Sequence, residues 1–449
     1  MSYNGYGQPP YGQPPPQQGY GQQYPPPQQG HYPPPQGHYP PPQHGGGYYN
    51  QGPPPPQGHY PPPQQPPYGQ PPQPQGYGGG YHQPPPPQHG YGAPPPQGYQ
   101  GHSPAPSGSY GAPPPAGYGA PPAHQGPPTP PTLGYGPSQH INWSGSADAN
   151  ALRAAMKGFG TDEKALIRIL ADKDPLQVEV IRTTYDRELR RNLISDLKSE
   201  TSGYFEMGLL QLARGPLLSD VHNLFDAMAG PGTKERVLND VLLGRSNADI
   251  RAIKSAYQHT YHRSLEDAVK GDLSMKTERH FMMVLAANRA EDSAPVLPHQ
   301  VDNDVMELYK ATEAKMGTDE IMVCNILTHR NDNQLRAIAH AYKHKFNKDF
   351  ESVIKSEFSG HMEDALLFQL RHAVDKYMHA ASLLEDAMAG MGTKDFLLVS
   401  RVVRFHWDRN ELANIKGAYQ QKYRTSLANR IKGETSGDYE RLMVACVGQ

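Results

Sequence analysis

The stretch Met156-Lys157-Gly158-Phe159-Gly160-Thr161 decides the fold of this chain, because variants of it recur three more times. In chain order, the other copies are Met228-Ala229-Gly230-Pro231-Gly232-Thr233, Glu313-Ala314-Lys315-Met316-Gly317-Thr318 and Met388-Ala389-Gly390-Met391-Gly392-Thr393. Their last glycines stand at positions 160, 232, 317 and 392. The chain therefore contains four repeats of roughly 70 residues, which is longer than the common solenoid repeats.

Composition divides the chain into two parts. Of its 50 prolines, 45 lie in the first 140 residues, which contain no Lys, Arg, Asp or Glu. We predict that residues 1–140 form a disordered tail, because its Pro, Gly, Gln and Tyr cannot build an apolar core that offsets the entropy cost of folding. The tail has two open interpretations: a solvated spacer, or Tyr- and Pro-rich segments that self-associate or bind protein partners.

The remaining 300 or so residues have the composition of a soluble domain. The two cysteines, Cys324 and Cys446, are too few for a disulfide framework or a cysteine-based zinc site. The first residues lack the basic and apolar regions of a signal peptide, and no run of 18 apolar residues exists, so we expect a cytoplasmic protein. The net charge of -2 predicts no bulk attraction to nucleic acid or to an anionic membrane.

Helical patterns fill each repeat. A helical stripe of apolar residues ends in a tyrosine in every copy: Val178/Ile181/Tyr185, Ile250/Ile253/Tyr257, Leu335/Ile338/Tyr342 and Leu412/Ile415/Tyr419. The last two members of each stripe are four residues apart and share one helix face. We predict that the loop threonines cap the next helices, with acidic residues in the first turn, and that Asp174-Pro175 begins another helix. About five helices per repeat, and about twenty in all, make the body all-α.

An acidic residue follows each tyrosine by 15 positions: Glu200, Asp272, Glu357 and Glu434. Glycines at a helical turn allow positive φ and expose backbone carbonyls, so loop carbonyls and one remote carboxylate can form an oxygen-only site. Such a site suits a hard cation such as Ca²⁺. Three carbonyls and a bidentate carboxylate supply about five oxygens, whereas calcium takes about six to eight, so water or a lipid phosphate would complete the shell.

The fourfold loop with its remote acid closely resembles the annexins. The resemblance extends to the sequences around the acids, Lys270-Gly271-Asp272, Lys355-Ser356-Glu357 and Lys432-Gly433-Glu434-Thr435-Ser436-Gly437. It implies four annexin repeats in a curved disc, at residues 144–215, 216–290, 300–378 and 379–449, with type II calcium sites on the convex face. The tail is similar to that of the long-tailed, synexin-like annexins.

The resemblance also implies the metal ligands, which are three loop carbonyls and one carboxylate per repeat. They are Met156, Gly158, Gly160 and Glu200; Met228, Gly230, Gly232 and Asp272; Glu313, Lys315, Gly317 and Glu357; and Met388, Gly390, Gly392 and Glu434. The third site departs from the pattern because Lys315 replaces a glycine. The loop tips, Phe159, Pro231, Met316 and Met391, either enter the headgroup region of a membrane or pack against neighbouring helices.

The resemblance implies calcium-dependent binding to anionic phospholipid membranes with phosphatidylserine-like headgroups, and a role in membrane organisation or vesicle tethering. The alternative is a helical scaffold that binds protein partners without calcium. We expect no enzyme, because no catalytic triad or metalloprotease pattern stands out and the loop at Gly230 lacks the end of a phosphate-binding loop. His340 and His344 lie one helical turn apart but lack a third ligand, which favours a solvated face.

Overall fold

The computed structural model describes residues 126–314 and 316–448. Our predictions about residues 1–125 and about Lys315 therefore lie outside the described residues. Within the described ranges the secondary structure is entirely helical, so the predicted all-α class is confirmed. Each helix there is too short or too polar to cross a lipid bilayer.

Nineteen α-helices form the described part of the chain. The first five are α1 (Ser146–Ala155), α2 (Glu163–Leu170), α3 (Pro175–Leu189), α4 (Leu193–Glu200) and α5 (Gly203–Ala227). They are followed by α6 (Glu235–Leu242), α7 (Asn247–Tyr261), α8 (Leu265–Asp272) and α9 (Met275–Leu285). The third group is α10 (Pro298–Thr312), α11 (Glu320–His329), α12 (Asp332–Phe346), α13 (Phe350–Glu357) and α14 (Gly360–Val374). The last is α15 (Lys376–Met388), α16 (Asp395–His406), α17 (Arg409–Tyr423), α18 (Leu427–Glu434) and α19 (Gly437–Val447).

Helix α5 consists of two helices joined at a sharp break. Gly215 has φ 76° and ψ 174°, which no helical residue adopts, and Pro216 follows it. The break separates the last helix of the first repeat from the first helix of the second. Counted on either side of it, the described chain has five helices per repeat, as predicted.

The predicted tyrosine stripes lie in the core. Tyr185, Tyr342 and Tyr419 are fully buried and Tyr257 is nearly so. The first and fourth repeats share one apolar core, in which α2 and α5 pack against α19 and α16. The second and third repeats each have a core of their own. Repeats at the two ends of the body are thus neighbours in space.

The predicted threonine caps are wrong by one residue. The N-cap of α2 is Asp162, whose side chain accepts from the N–H of Ala165 at 3.0 Å, and Thr161 lies outside the helix. The corresponding caps are Lys234, Asp319 and Lys394. The threonine hydroxyls are turned away from the helix and bind another partner, described below. The prediction of an acidic residue in the first turn is confirmed for α2, which begins with Glu163. The predicted start of α3 is confirmed as well, because Asp174 caps this helix and Pro175 is its first residue.

Residues 126–137, which composition assigns to the tail, pack onto the helical body. The hydroxyl of Thr132 donates to Asp249 at 2.6 Å, and that of Tyr135 donates to Asp220 at 2.5 Å. The Arg245 guanidinium lies over the Tyr135 ring, 4.8 Å from its centroid. A segment without charges is held here by acids that belong to α5 and α7.

Candidate metal sites

Each glycine loop is closed by one backbone hydrogen bond across its base. The N–H after the loop threonine donates to a carbonyl at the end of the preceding helix: Asp162 to Ala155, Lys234 to Ala227 and Lys394 to Ala387, at 2.8 to 2.9 Å. In the third loop the bond runs from Asp319 to Ala311, one residue further back, at 2.7 Å. The third loop is therefore one residue wider than the other three.

The loop glycines are required by backbone angle rather than by crowding. Gly158 and Gly160 have φ of 116° and 88°, a region that L side chains rarely adopt, and a Cβ built on either would meet nothing within 4 Å. The same holds for the other described loop glycines, Gly230, Gly232, Gly317, Gly390 and Gly392. These angles are not helical, so the carbonyls of the loop glycines lie outside the regular hydrogen-bond pattern of the flanking helices.

The structure brings each remote acid to its own loop. In every repeat the loop threonine hydroxyl donates to the carboxylate: Thr161 to Glu200 at 3.3 Å, Thr233 to Asp272 at 2.5 Å, Thr318 to Glu357 at 2.6 Å and Thr393 to Glu434 at 2.9 Å. The fourth pair forms although the spacing there is two residues longer. Sequence reasoning missed this bond, because it assigned the threonines to helix capping.

The first three acids differ from the fourth in their charged neighbours. Among the described residues, no basic side chain lies within ion-pair distance of Glu200, Asp272 or Glu357. Glu434 instead accepts from the Arg430 guanidinium, and Arg430 together with the Thr393 hydroxyl holds the pKa of Glu434 below its usual value. A second nitrogen of Arg430 donates to the carbonyl of Met388 at 2.7 Å.

The sequence contained a signal for this arginine. Arg430 precedes Glu434 by four residues on α18, a spacing that places two side chains side by side on a helix. Its contact with Met388, 42 residues earlier, could not be read from that spacing.

The loop tips are fully exposed. Phe159, Met316 and Met391 have relative exposures of 111%, 104% and 107%, and Pro231 is also exposed. Of the two interpretations given above, packing against neighbouring helices is therefore wrong. Large apolar side chains stand on the loops beside the candidate ligands.

The donor set fits a hard cation. In the described ranges no group of three or more His, Cys, Asp or Glu side chains could hold a metal ion. The glycine loops offer main-chain oxygens next to a carboxylate, and oxygen donors of this kind suit Ca²⁺. Lys315, a predicted carbonyl ligand of the third site, is outside the described residues.

The described residues also line a partly open cavity of about 530 Å³ away from the loops. Arg404 lines this cavity, and its Nη1 has no hydrogen-bond partner among the described residues. Two ion pairs also lie on the cavity wall: Arg401 donates to Asp240 at 2.7 Å, and Arg245 pairs with Asp220. Buried charges need such partners to offset the loss of solvation. We therefore assign these ion pairs to the packing of the repeats.

Comparison with known proteins gives a consistent result. The sequence model of the family Annexin matches residues 147–212, 219–284, 303–368 and 378–446. Annexin C1 of Cryptococcus neoformans var. grubii is 45% identical over 306 residues, which cover 67% of this chain and 65% of that protein. Human annexin A7 is 40% identical over 69% of this chain and 62% of its own length, and human annexin A4 is 40% identical over 67% of this chain and 94% of its own.

Solved structures agree with these relatives. The region superposed on annexin III covers 69% of this chain and 95% of the annexin III chain, at 33% identity and a TM-score of 0.65. The region superposed on a calcium-bound annexin (Sm)1 covers 71% of this chain and 92% of that chain, at 30% identity and a TM-score of 0.61.

Proposed function

The chain belongs to the annexin family, and on that premise we propose that it binds anionic phospholipid membranes through calcium held at its four loops. The family is known for calcium-dependent phospholipid binding. The proposal for this chain rests on one observation: in all four repeats the loop threonine binds the remote acid, which puts carboxylate and loop side by side.

The proposed ligands are the loop carbonyls and the acid of each repeat, as the sequence predicts. In the first repeat, the carbonyls of Met156, Gly158 and Gly160 and the carboxylate of Glu200 would hold the ion. Calcium would supply a charge that the carboxylate only half neutralises, so the ion would still attract a phosphate or carboxylate of a lipid headgroup. This local attraction does not depend on the net charge of the chain, which is -2.

The exposed tips fit the same role. A membrane-bound loop would carry Phe159 or Met391 into the interfacial region, where burial of apolar surface adds to the electrostatic attraction. We propose a cytoplasmic protein that becomes peripheral on membranes when calcium rises, with four repeats at residues 144–215, 216–290, 300–378 and 379–449.

Cosedimentation with phosphatidylserine vesicles tests the proposal. We expect pelleting with calcium and none with chelator. The variant Glu200→Gln with Asp272→Asn should raise the calcium concentration needed for half-maximal binding by about tenfold, since ligand charge sets the affinity of calcium sites. A matched control, Asp172→Asn with Asp267→Asn, removes two exposed charges from the same repeats and should leave the requirement unchanged.

Equal pelleting with calcium and with chelator would favour the calcium-independent scaffold instead. An unchanged calcium requirement in the Glu200→Gln, Asp272→Asn variant would show that the ligands are misassigned. Vesicle tethering is a separate part of the proposal, and turbidity of a vesicle suspension measures it. The comparison should use the full chain and residues 126–449, because residues 126–137 pack onto the body.

A further inference from the structure

We propose that Arg430 is a built-in cation of the fourth loop, which calcium must displace before it can bind there. The inference rests on the proposed function, because it concerns the order in which the same loops bind calcium. It predicts that the fourth loop binds calcium last and most weakly, although its sequence matches the pattern better than that of the third.

The contacts of Arg430 place it between the proposed ligands. Its guanidinium donates to the carbonyl of Met388 at 2.7 Å and to the carboxylate of Glu434. These are the first and last ligands proposed for this loop. An arginine side chain presents several N–H groups in a fixed fork, so it can satisfy two such oxygens at once.

The sequences of the other repeats have no basic residue at the position of Arg430. The residues four positions before their acids are Asp196, Ala268 and Val353, none of which carries a positive charge. Their acids Glu200, Asp272 and Glu357 form no ion pair among the described residues. The substitution is therefore specific to the fourth repeat.

Calcium and the guanidinium compete for these oxygens. A calcium ion bound to Met388 and Glu434 would lie at contact distance from the guanidinium, and the two positive charges would repel each other there. Occupation of the fourth loop by calcium therefore requires Arg430 to leave it.

A second carboxylate can pair with the Arg430 guanidinium when it leaves the loop. Glu385 on α15 already lies 3.3 Å from Nε of Arg430, and it also accepts from the Tyr419 hydroxyl. The arginine is about one quarter exposed, so its side chain has room to turn. On leaving the loop, Arg430 would keep Glu385 as its charged partner. Arg430 would therefore compete with calcium for the loop and would not prevent calcium from binding there altogether.

The test uses calcium titration by isothermal calorimetry on the full chain with the other loops disabled. The background variant carries Glu200→Gln, Asp272→Asn and Glu357→Gln, which leaves one intact loop. In this background we expect Arg430→Met to tighten calcium binding about tenfold. Arg430→Lys should give a smaller gain, because a lysine cannot bridge both oxygens with one fork.

The matched control is Lys432→Met, which removes the same charge two residues further along α18. Lys432 is exposed and should leave the affinity unchanged. If Arg430→Met and Lys432→Met tighten binding equally, general electrostatics explains the gain and the inference is overturned. No gain with Arg430→Met or Arg430→Lys, in protein with an unchanged circular dichroism spectrum, overturns it as well.

The failure of the proposed function gives a different result. If the chain with all loops intact binds no calcium, or if the three background substitutions do not reduce calcium binding, the ligands themselves are wrong. If the intact chain binds calcium, if the background substitutions reduce that binding, and if substitution of Arg430 does not change the remaining affinity, only the role of Arg430 is wrong.

Discussion

The first and fourth repeats contain the same ion pair with its charges exchanged. Arg153 stands three residues before the first loop and lies 3.7 Å from Asp196, which precedes Glu200 by four residues. The corresponding positions of the fourth repeat hold Glu385 and Arg430, 3.3 Å apart. In both repeats the buried tyrosine of the stripe donates to the acidic member of the pair.

The exchange decides which loop contains a cation. In the first repeat Arg153 is on the helix that enters the loop and lies 3.7 Å from Asp196, which also accepts two hydrogen bonds from Arg191 at 2.7 Å. Among the described residues, the Glu200 carboxylate has the Thr161 hydroxyl as its hydrogen-bond partner and no basic side chain within ion-pair distance. In the fourth repeat the arginine is one helical turn before Glu434 and reaches the loop carbonyl. One pair of positions thus holds opposite charges in the two repeats, and of these two repeats the fourth is the one in which the pair places a cation at the loop.

The largest expected effect comes from transferring the fourth arrangement to the first repeat. The double variant Arg153→Glu with Asp196→Arg should place a guanidinium beside Glu200 and lower the calcium affinity of the first loop about tenfold. Calorimetry on a background of Asp272→Asn, Glu357→Gln and Glu434→Gln measures it.

The control for the transfer is an exchange of another ion pair in the same repeat. Lys173 and Asp148 lie 3.2 Å apart, away from the loop, so Lys173→Glu with Asp148→Lys should not change calcium affinity. An unaltered affinity in the Arg153→Glu, Asp196→Arg variant, with the helical spectrum retained, would mean that orientation of the pair does not control the loop.

The extent to which the sequence predicts these sites follows from the range of the interactions. Repeat spacing, helical stripes and glycine turns are local patterns, so the helices and the loops could be predicted. The encounter of loop and acid could be predicted from four matched copies, even though the residues are about 40 positions apart.

Other features depend on tertiary packing and could not be predicted. The turn made by Gly160 directs Thr161 to Glu200 and away from the helix, which moved the cap by one residue. The docking of Tyr135 depends on Asp220 and Arg245, which the composition of its own segment does not contain. Whether Arg430 faces solvent or the loop is settled by α15, which places Met388 and Glu385 opposite it.

The first and fourth repeats also differ in a buried histidine, which should make the stability of the chain depend on pH. The first repeat contains no histidine, whereas the fourth contains His379, which is buried and whose ring nitrogens have no hydrogen-bond partner among the described residues. Burial, together with nearby His372 and several arginines, lowers the pKa of His379 to about 3 from an ordinary value near 6.5. Between these values the unfolded chain binds a proton that the folded chain does not, so stability falls as pH falls below about 6.5.

We expect the free energy of unfolding to drop by about 1 to 2 kcal/mol for this group between pH 7 and pH 5. Urea denaturation followed by circular dichroism measures the drop, and His379→Leu should reduce it. His344→Asn, a substitution of an exposed histidine, is the control and should not. An equal drop in the wild-type and His379→Leu proteins would assign the acid sensitivity to other groups.

The smallest expected effect concerns the exposed tips. Phe159 and Met391 are equally exposed, so their loops would contribute similarly to membrane binding if both held calcium. Because Arg430 weakens calcium binding at the fourth loop, that loop should be less occupied than the first at limiting calcium. Phe159→Ala should then weaken vesicle binding by about 1 kcal/mol, roughly fivefold, and Met391→Ala should weaken it by less. Adding Arg430→Met should increase the cost of Met391→Ala and leave that of Phe159→Ala unchanged. Equal costs for the two tips, with or without Arg430, would show that both loops enter the membrane together and that the exchanged ion pair has no effect on membrane binding.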